Sequence, residues 1–217
     1  MMHISVARME RTQSGTGLST CENPGLRCAP SGLRSVDRHY LQKSVTLFEA
    51  SGMSRLHWIE LPAAGRIAIS ARPRADDWLE TEVGEWKASG LDTVVSLLER
   101  EEVSELGLQR EAELCRTSGI EFVSFPIPDR GVPEAKRDVL QIASSIASGI
   151  ADGRSIAIHC RAGIGRSSMI AACALICTGI EASDALARIK DARGLTVPDT
   201  DEQRDWIIAF GAMYRMP

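Results

Sequence analysis

The chain has 217 residues, of which 44% are hydrophobic, and this is enough for one substantial core but not for two domains of similar size. No stretch approaches the roughly 20 apolar residues of a transmembrane helix, and the N-terminus lacks the apolar core of a secretory signal, so we expect a cytoplasmic protein with no membrane insertion. The formal net charge is −4, and since residues 1–48 carry a net +3, the remainder is acidic, which argues against nucleic acid as a partner.

The first 52 residues differ in character from the rest. They are rich in Ser, Gly and Arg and have no regular hydrophobic spacing, so residues 1–52 are predicted to form a poorly ordered tail. Recognisable periodicity begins just after Met53, which is also a candidate start of the natural protein. The six cysteines form neither CxxC pairs nor a framework spacing, which favours reduced thiols over structural disulfides.

From residue 53 onward, strand and helix patterns alternate. Two short strands separated by the turn at residues 62–65 predict an opening hairpin. The elements expected after it are a helix at Asp76–Ser89, a strand at Thr93–Leu98, a helix at Glu101–Thr117, a strand at Ile120–Phe125, a helix at Pro133–Ala151, a strand at Ser155–His159, and helices at Arg166–Cys177, Ala182–Ala192 and Asp201–Met213. This order predicts an α/β fold with a mostly parallel twisted sheet and helices on both faces.

A cysteine and an arginine lie six positions apart in the segment 159–167, HCRAGIGRS, directly after a predicted buried strand. The five residues between them can curl so that successive backbone N–H groups point inward, and such a nest binds oxyanions. Gly163 and Gly165 permit the positive or crowded backbone angles of this curl, and the helix that begins at Arg166 directs its positive end to the same point. Because a helix N-terminus and a nearby cation favour a thiolate, Cys160 is predicted to be a nucleophile beside a bound anion.

The chain resembles the cysteine-dependent dual-specificity protein phosphatases over roughly residues 55–213. The resemblance depends on the segment 159–167, on the upstream segment 125–133, FPIPDRGVP, and on the downstream pattern PxTxxQ at residues 198–203. Within that class it is most similar to the kinase-associated, cyclin-dependent-kinase-inhibitor-like subgroup, through the strand IAIS and the acid loop. It implies a protein tyrosine phosphatase-like fold, with residues 53–217 as the catalytic domain.

The resemblance also implies a role for each matched position. Cys160 takes the phosphoryl group as a cysteinyl phosphate, Arg166 holds two of its oxygens, and Asp129 protonates the leaving oxygen. Ser167 assists the departure of the sulfur in the second step, and Gln203 holds the attacking water. An inert buried cysteine, a turn aspartate and a solvent-facing glutamine are the alternatives at these positions.

Other positions are expected to support the site. His159 orders the loop and tunes the thiolate, although a merely structural core histidine is the alternative. The residues expected to contact the substrate are Arg161, Ala162, Gly163, Ile164, Gly165 and Arg130. No metal and no cofactor is expected, since Cys173 and Cys177 are assigned to the core.

The expected activity is metal-independent hydrolysis of phosphotyrosine, phosphoserine or phosphothreonine on proteins, by a monomer whose partner is the phosphorylated protein, with a kinase as a candidate. Phosphoinositide phosphatases of the same superfamily carry basic residues at two loop positions, which correspond here to Arg161 and Ile164. Only Arg161 is basic, and this favours a protein substrate over an inositol lipid. A phosphoinositide phosphatase, a phosphoresidue-binding module without turnover, and a sulfurtransferase or arsenate reductase stay as alternatives.

Overall fold

The computed structural model describes residues 55–215. The predicted tail at residues 1–52 and its boundary with the following domain lie outside this range, so both stay predictions. None of the helices in the described part of the chain is long and apolar enough to cross a membrane.

A five-stranded sheet forms the centre of the described structure. Its strands are β1 (His57–Ile59), β2 (Arg66–Ala71), β3 (Thr93–Ser96), β4 (Glu121–Ser124) and β5 (Ser155–Cys160). The order across the sheet is β1-β2-β5-β3-β4, with β1 antiparallel to β2 and every other pair parallel. The expected mostly parallel sheet with an N-terminal hairpin is therefore confirmed. The carboxyl ends of the four parallel strands meet at one edge, where ligands of such sheets bind.

Helices cover both faces of the sheet. After a 3₁₀ turn at Asp76–Trp78 they are α1 (Leu79–Ala88), α2 (Arg100–Glu105), α3 (Glu111–Thr117), α4 (Lys136–Ala151), α5 (Arg166–Cys177), α6 (Ala182–Arg193) and α7 (Asp201–Tyr214). The helix α5 is buried on nearly all sides, since every residue from Arg166 to Ile176 is buried. This explains why its sequence is apolar around the whole helix.

The core consists of two layers, one on each face of the sheet. Ile156, Ile158 and Cys160 of the central strand belong to the larger cluster, which includes α4 to α7. Ala157, between them, belongs to the smaller cluster, which includes α1 and α3. This alternation follows from the two-residue period of a strand. Consequently Cys160 and His159 point to opposite faces of the sheet.

Three predicted helices are wrong in their bounds. The helix expected at Asp76–Ser89 starts with the 3₁₀ turn at Asp76–Trp78 and is α-helical only over Leu79–Ala88. The single helix expected at Glu101–Thr117 is two helices, α2 and α3, because Gly107 has a φ of +68°, which ends α2 in a left-handed turn. The helix expected to begin at Pro133 begins at Lys136, since Ala135 has an extended backbone. The residues that precede Lys136 therefore continue the loop that follows β4.

Two neighbouring isoleucines of α7 test the core directly. Ile207 is fully buried, whereas 53% of Ile208 is exposed. Replacing Ile207 by alanine should lower the free energy of unfolding by about 2–5 kcal/mol, because it removes buried methyl groups and leaves a cavity. The matched variant Ile208→Ala should change it by less than about 0.5 kcal/mol. Urea denaturation measures both, and equal losses in the two variants would contradict this packing.

Candidate active site

Cys160 ends β5 at the edge where the parallel strands terminate, and its side chain is buried. The main-chain N–H of Gly163 donates a hydrogen bond to its Sγ at 3.3 Å, and the Oγ of Ser167 lies 3.5 Å from the same sulfur. Both groups can donate to a thiolate. The loop therefore curls around the sulfur as the sequence predicts, and the hydroxyl of Ser167 is in hydrogen-bond range of it.

The two loop glycines are needed for different reasons. Gly163 has a φ of +68°, and a Cβ there would lie 2.4 Å from the backbone carbon of Ser70. Gly165 has an ordinary φ of −83°, but a Cβ there would lie 2.7 Å from the Oε1 of Gln203. Gly163 thus permits the turn, and Gly165 permits the close approach of Gln203.

Arg166 begins α5, and only 2% of its side chain is exposed. Its Nη1 and Nη2 donate to the two carboxylate oxygens of Glu102 at 2.6 and 2.9 Å. Nη2 also donates to the Oδ1 of Asp129 at 2.8 Å, and Nη1 donates to the carbonyl of Ile127 at 3.0 Å. The guanidinium is thereby fixed in one orientation, since these contacts restrain its planar fork from several sides.

Asp129 lies on the loop after β4, and 55% of its side chain is exposed. Its backbone N–H donates to the Oε2 of Glu99 at 3.3 Å, while its carboxylate contacts Arg166. The next residue, Arg130, has a φ of +57°, so the loop turns sharply there. The aspartate is therefore held over the cleft with its carboxylate open to solvent.

Most of the predicted site residues line one cleft of about 240 Å³ at the carboxyl edge of the sheet. The cleft is lined by Asp129, Arg130, Cys160, Arg161, Ala162, Ile164, Gly165, Arg166, Asp199 and Gln203. Gln203 is fully buried, and its Nε2 donates to the carbonyl of Gly131 at 3.0 Å. The structure thus brings the acid loop, the cysteine loop and the start of α7 together, although they are far apart in sequence.

His159 is the predicted site residue that lies away from the cleft. It points to the opposite face of the sheet, where its Nε2 lies 2.9 Å from the Oε1 of Glu111, in a geometry that is not that of a hydrogen bond. It cannot contact a ligand bound in the cleft. Any effect on the cysteine must therefore pass through the strand.

Two further residues hold the site, and sequence reasoning missed both. Glu102 pairs with Arg166, and Arg193 of α6 donates from Nε to the carbonyl of Gly163 at 2.9 Å and from Nη2 to that of Ala162 at 3.4 Å. Arg193 thereby holds these loop carbonyls toward itself. The sequence does contain a signal for Glu102, because this residue follows a buried strand, at the edge of the sheet where ligands bind. For Arg193 we find none, since it is the last residue of an ordinary amphipathic helix.

The rim cations are balanced by carboxylates. Arg161 pairs with Glu105 at 3.1 Å, and Arg130 lies 3.6 Å from Asp199. Within residues 55–215, no group of three or more His, Cys, Asp or Glu side chains is arranged to hold a metal ion. The groups of the cleft that can bind an anion are Arg166 and the loop N–H groups.

The first test of the loop replaces Gly163 by alanine. The added Cβ would meet the backbone of Ser70 and would force a positive φ on a residue that resists it, so the nest should open. We expect at least about tenfold weaker binding of tungstate, an inorganic oxyanion, by calorimetry. The control is Gly84→Ala in α1, where a Cβ has nothing within 4 Å, and this variant should bind tungstate normally. Unchanged tungstate binding by both variants would contradict the assignment of this loop as an oxyanion-binding nest.

The second test uses the pKa of Glu102. Burial by itself raises this pKa, but the hydrogen bonds and charges of Arg166, the backbone N–H of Glu99 and the charge of Arg161 outweigh burial, so the pKa is lowered from its ordinary value of 4.5. A carboxyl whose pKa is lower in the folded than in the unfolded state stabilises the fold above the unfolded value, and this stabilisation disappears as the pH falls through the folded value.

Replacing Glu102 by glutamine should therefore lower the free energy of unfolding at pH 7 by about 3–5 kcal/mol, because Arg166 would keep a buried charge without its partner. The difference from the wild type should shrink as the pH falls below 4.5, the ordinary value for this carboxyl. The exposed neighbour Glu101 provides the control variant Glu101→Gln, which should lose little free energy of unfolding at pH 7 or at pH 3. A difference for Glu102→Gln that is the same at pH 7 and pH 3 would contradict the pairing.

The comparison with known proteins agrees with this geometry. Residues 71–180, which are half of the chain, match the model of the family described as "Polymorphic toxin system, DSP-PTPase phosphatase". The chain is 29% identical over 134 residues to cyclin-dependent kinase inhibitor 3 of Rattus norvegicus, and 26% identical over 134 residues to the Homo sapiens protein. Each of these matches covers 61% of this chain and 63% of the relative's length.

Solved structures show the same fold. A kinase-associated phosphatase whose catalytic-site cysteine is replaced by serine matches with a TM-score of 0.68 and 22% identity, over 74% of this chain and 96% of that one. Tk-PTP in its active form matches with a TM-score of 0.58 and 29% identity, over 70% and 94%. With its cysteine loop, its buried arginine and the family match over half its length, the chain belongs to the dual-specificity (DSP-PTPase) phosphatase family.

Proposed function

We propose that the chain hydrolyses phosphate monoesters on proteins through a cysteinyl-phosphate intermediate. The observation that carries the proposal is the meeting of Cys160, Arg166 and Asp129 in one cleft of about 240 Å³. A nucleophile, a fixed cation and a carboxyl group exposed to solvent are what a phosphoryl transfer to sulfur requires. Every role in the reaction is supplied by this chain's own residues.

In the first step, the thiolate of Cys160 attacks phosphorus while the bond between phosphorus and the ester oxygen breaks. The equatorial phosphoryl oxygens accept hydrogen bonds from the loop N–H groups and from Arg166, whose Nη2 exchanges the carboxyl group of Asp129 for a phosphoryl oxygen. The charge of Arg166 opposes the negative charge of the transition state. Asp129, as the carboxylic acid, gives its proton to the departing oxygen. The products are the cysteinyl phosphate and the free alcohol or phenol.

In the second step, a water attacks phosphorus, and the bond between phosphorus and sulfur breaks. Asp129, now a carboxylate, takes a proton from that water, and the hydroxyl of Ser167, 3.5 Å from Sγ, donates to the leaving thiolate. Gln203 lines the cleft, and its proposed role is to bind the water. Inorganic phosphate leaves, and the enzyme returns to its first state.

The charges at the rim support a phosphoprotein over an inositol lipid. A lipid carrying several ring phosphates needs cations besides Arg166, but Arg161 is paired with Glu105, and Arg130 lies near Asp199. Relatives named cyclin-dependent kinase inhibitor 3 make a phosphorylated kinase a reasonable partner, and we propose one as the substrate. We further propose that residues 53–217 act as a monomeric catalytic domain in the cytoplasm.

A phosphoresidue-binding module is the alternative that the experiment must exclude. Cys160→Ser should abolish hydrolysis of 4-nitrophenyl phosphate while tungstate still binds, because the loop N–H groups and Arg166 remain. Asp129→Asn should lower kcat by roughly 10²–10⁴-fold, since the leaving oxygen loses its proton donor. The matched variant Asp138→Asn, at an exposed position in the first turn of α4, should stay within about twofold of the wild type.

Two results would decide against hydrolysis at this site. Full activity of Cys160→Ser would exclude the cysteine as the nucleophile. Binding of phosphopeptides by the wild-type chain with no release of phosphate would favour the binding module.

A further inference from the structure

Three successive carbonyl groups of the cysteine loop are hydrogen-bonded to residues that do not line the cleft. The carbonyl of Arg161 accepts from the backbone N–H of Arg72, which directly follows β2, at 3.4 Å. The carbonyls of Ala162 and Gly163 accept from the side chain of Arg193 at 3.4 and 2.9 Å. A backbone contact thus fixes the first carbonyl, and a single side chain fixes the other two.

The direction of each carbonyl sets the direction of the N–H group that follows it, because the two point to opposite sides of a trans peptide. The carbonyl of Ala162 points to Arg193, so the N–H of Gly163 points the other way. That N–H donates to the Sγ of Cys160 at 3.3 Å, as this geometry requires. By the same reasoning, the carbonyl of Gly163 directs the N–H of Ile164 away from Arg193, and Ile164 lines the cleft. Both N–H groups therefore belong to the nest.

The loop needs an external restraint because its own backbone is permissive. Gly163 has a φ of +68°, and a glycine allows rotations of the adjacent peptide planes that a residue with a Cβ resists. Rotation of either plane would turn an N–H out of the nest and a carbonyl oxygen into it, and that oxygen would repel an anion. Hydrogen bonds from a charged donor oppose such a rotation about twice as strongly as neutral ones.

Arg193 is held firmly where it meets the loop. It is the last residue of α6, which packs through the fully buried Ile189, and the left-handed Gly194 ends the helix directly after it. The carbonyl of the preceding Ala192 is hydrogen-bonded to the Nδ1 of His57 on β1 at 3.2 Å, which ties this end of α6 to the sheet. The guanidinium is therefore presented to the loop from a fixed position.

We propose that Arg193 is a positioning residue of the active site, which orients two peptide planes of the cysteine loop so that their N–H groups face the bound anion. Arg193 does not line the cleft and acts only through the loop. Its planar fork donates to two successive carbonyls, whereas the ammonium of a lysine is a single point of charge. The proposal rests on the proposed function in one respect, that this loop binds the phosphate. Its test measures anion binding without turnover, so the two proposals can fail separately.

The experiment measures tungstate binding at pH 7 by calorimetry, using the full chain as wild type, Arg193→Ala, Arg193→Lys and Lys190→Ala. Arg193→Ala should bind tungstate about tenfold more weakly, because the loop loses two hydrogen bonds from a charged donor. Arg193→Lys keeps the charge but not the fork, so it should bind at least about threefold more weakly than the wild type. The control Lys190→Ala removes an exposed cation from the same helix and should bind tungstate normally.

Hydrogen exchange distinguishes a local effect on the loop from a general loss of stability. In Arg193→Ala, the backbone amide of Gly163 should exchange at least about tenfold faster than in the wild type, whereas the amides of the buried helix α5 should exchange at unchanged rates. Equal acceleration in the loop and in α5 would assign Arg193 a merely structural role and would overturn the proposal. Tungstate binding by Arg193→Ala that equals the wild type would overturn it as well.

A further measurement uses the wild-type chain alone and therefore does not depend on whether a variant folds. The Nε–H of Arg193, which donates to the carbonyl of Gly163 at 2.9 Å, should give a resolved proton NMR signal at pH 7 and exchange slowly with water. A signal that coincides with those of exposed arginines would overturn the proposal. The expected loss of tungstate binding in Arg193→Ala, together with no release of phosphate by the wild type, would count against the proposed function only.

Discussion

The buried ion pair between Arg166 and Glu102 is the contact on which the active site depends. A guanidinium that is 2% exposed is tolerable only with a carboxylate against it, and Glu102 supplies both oxygens. The pair connects the start of α5 to α2, which are separated by 64 positions in the chain. It therefore fixes the cation of the cysteine loop before any ligand is present, and a preorganised cation costs no rearrangement during the reaction.

The same carboxylate links the cysteine loop to the acid loop. Glu102 also accepts from the backbone N–H of Glu99 at 3.0 Å, and the side chain of Glu99 in turn accepts from the backbone N–H of Asp129. Arg166 contacts Asp129 directly as well. The first turn of α2 thus acts as a brace between the two loops that carry the chemistry, and it lies at the sheet edge to which the parallel strands lead.

The sequence was informative wherever the determinants are local. The loop around Cys160 combines a strand, a nest and a helix start within a dozen residues, so its curl could be predicted without knowledge of the rest of the chain. Three other contacts could not be predicted from the sequence, because each joins residues at least 30 positions apart. They are the pairing of Arg166 with Glu102, the hydrogen bond of Arg193 to the loop and the contact of Glu111 with His159. The break at Gly107 is different, since a glycine within a helical pattern is itself a local signal for the end of a helix.

One hydrogen bond joins the two halves of the proposed reaction. Gln203, the residue assigned to the second step, donates to the carbonyl of Gly131, two positions after the aspartate that acts in the first. The side chain that would orient the water therefore also tethers the loop that delivers the proton. In evolutionary terms, the two steps of the proposed reaction would not be independent traits in this chain, because a change at one glutamine would alter the rates of both.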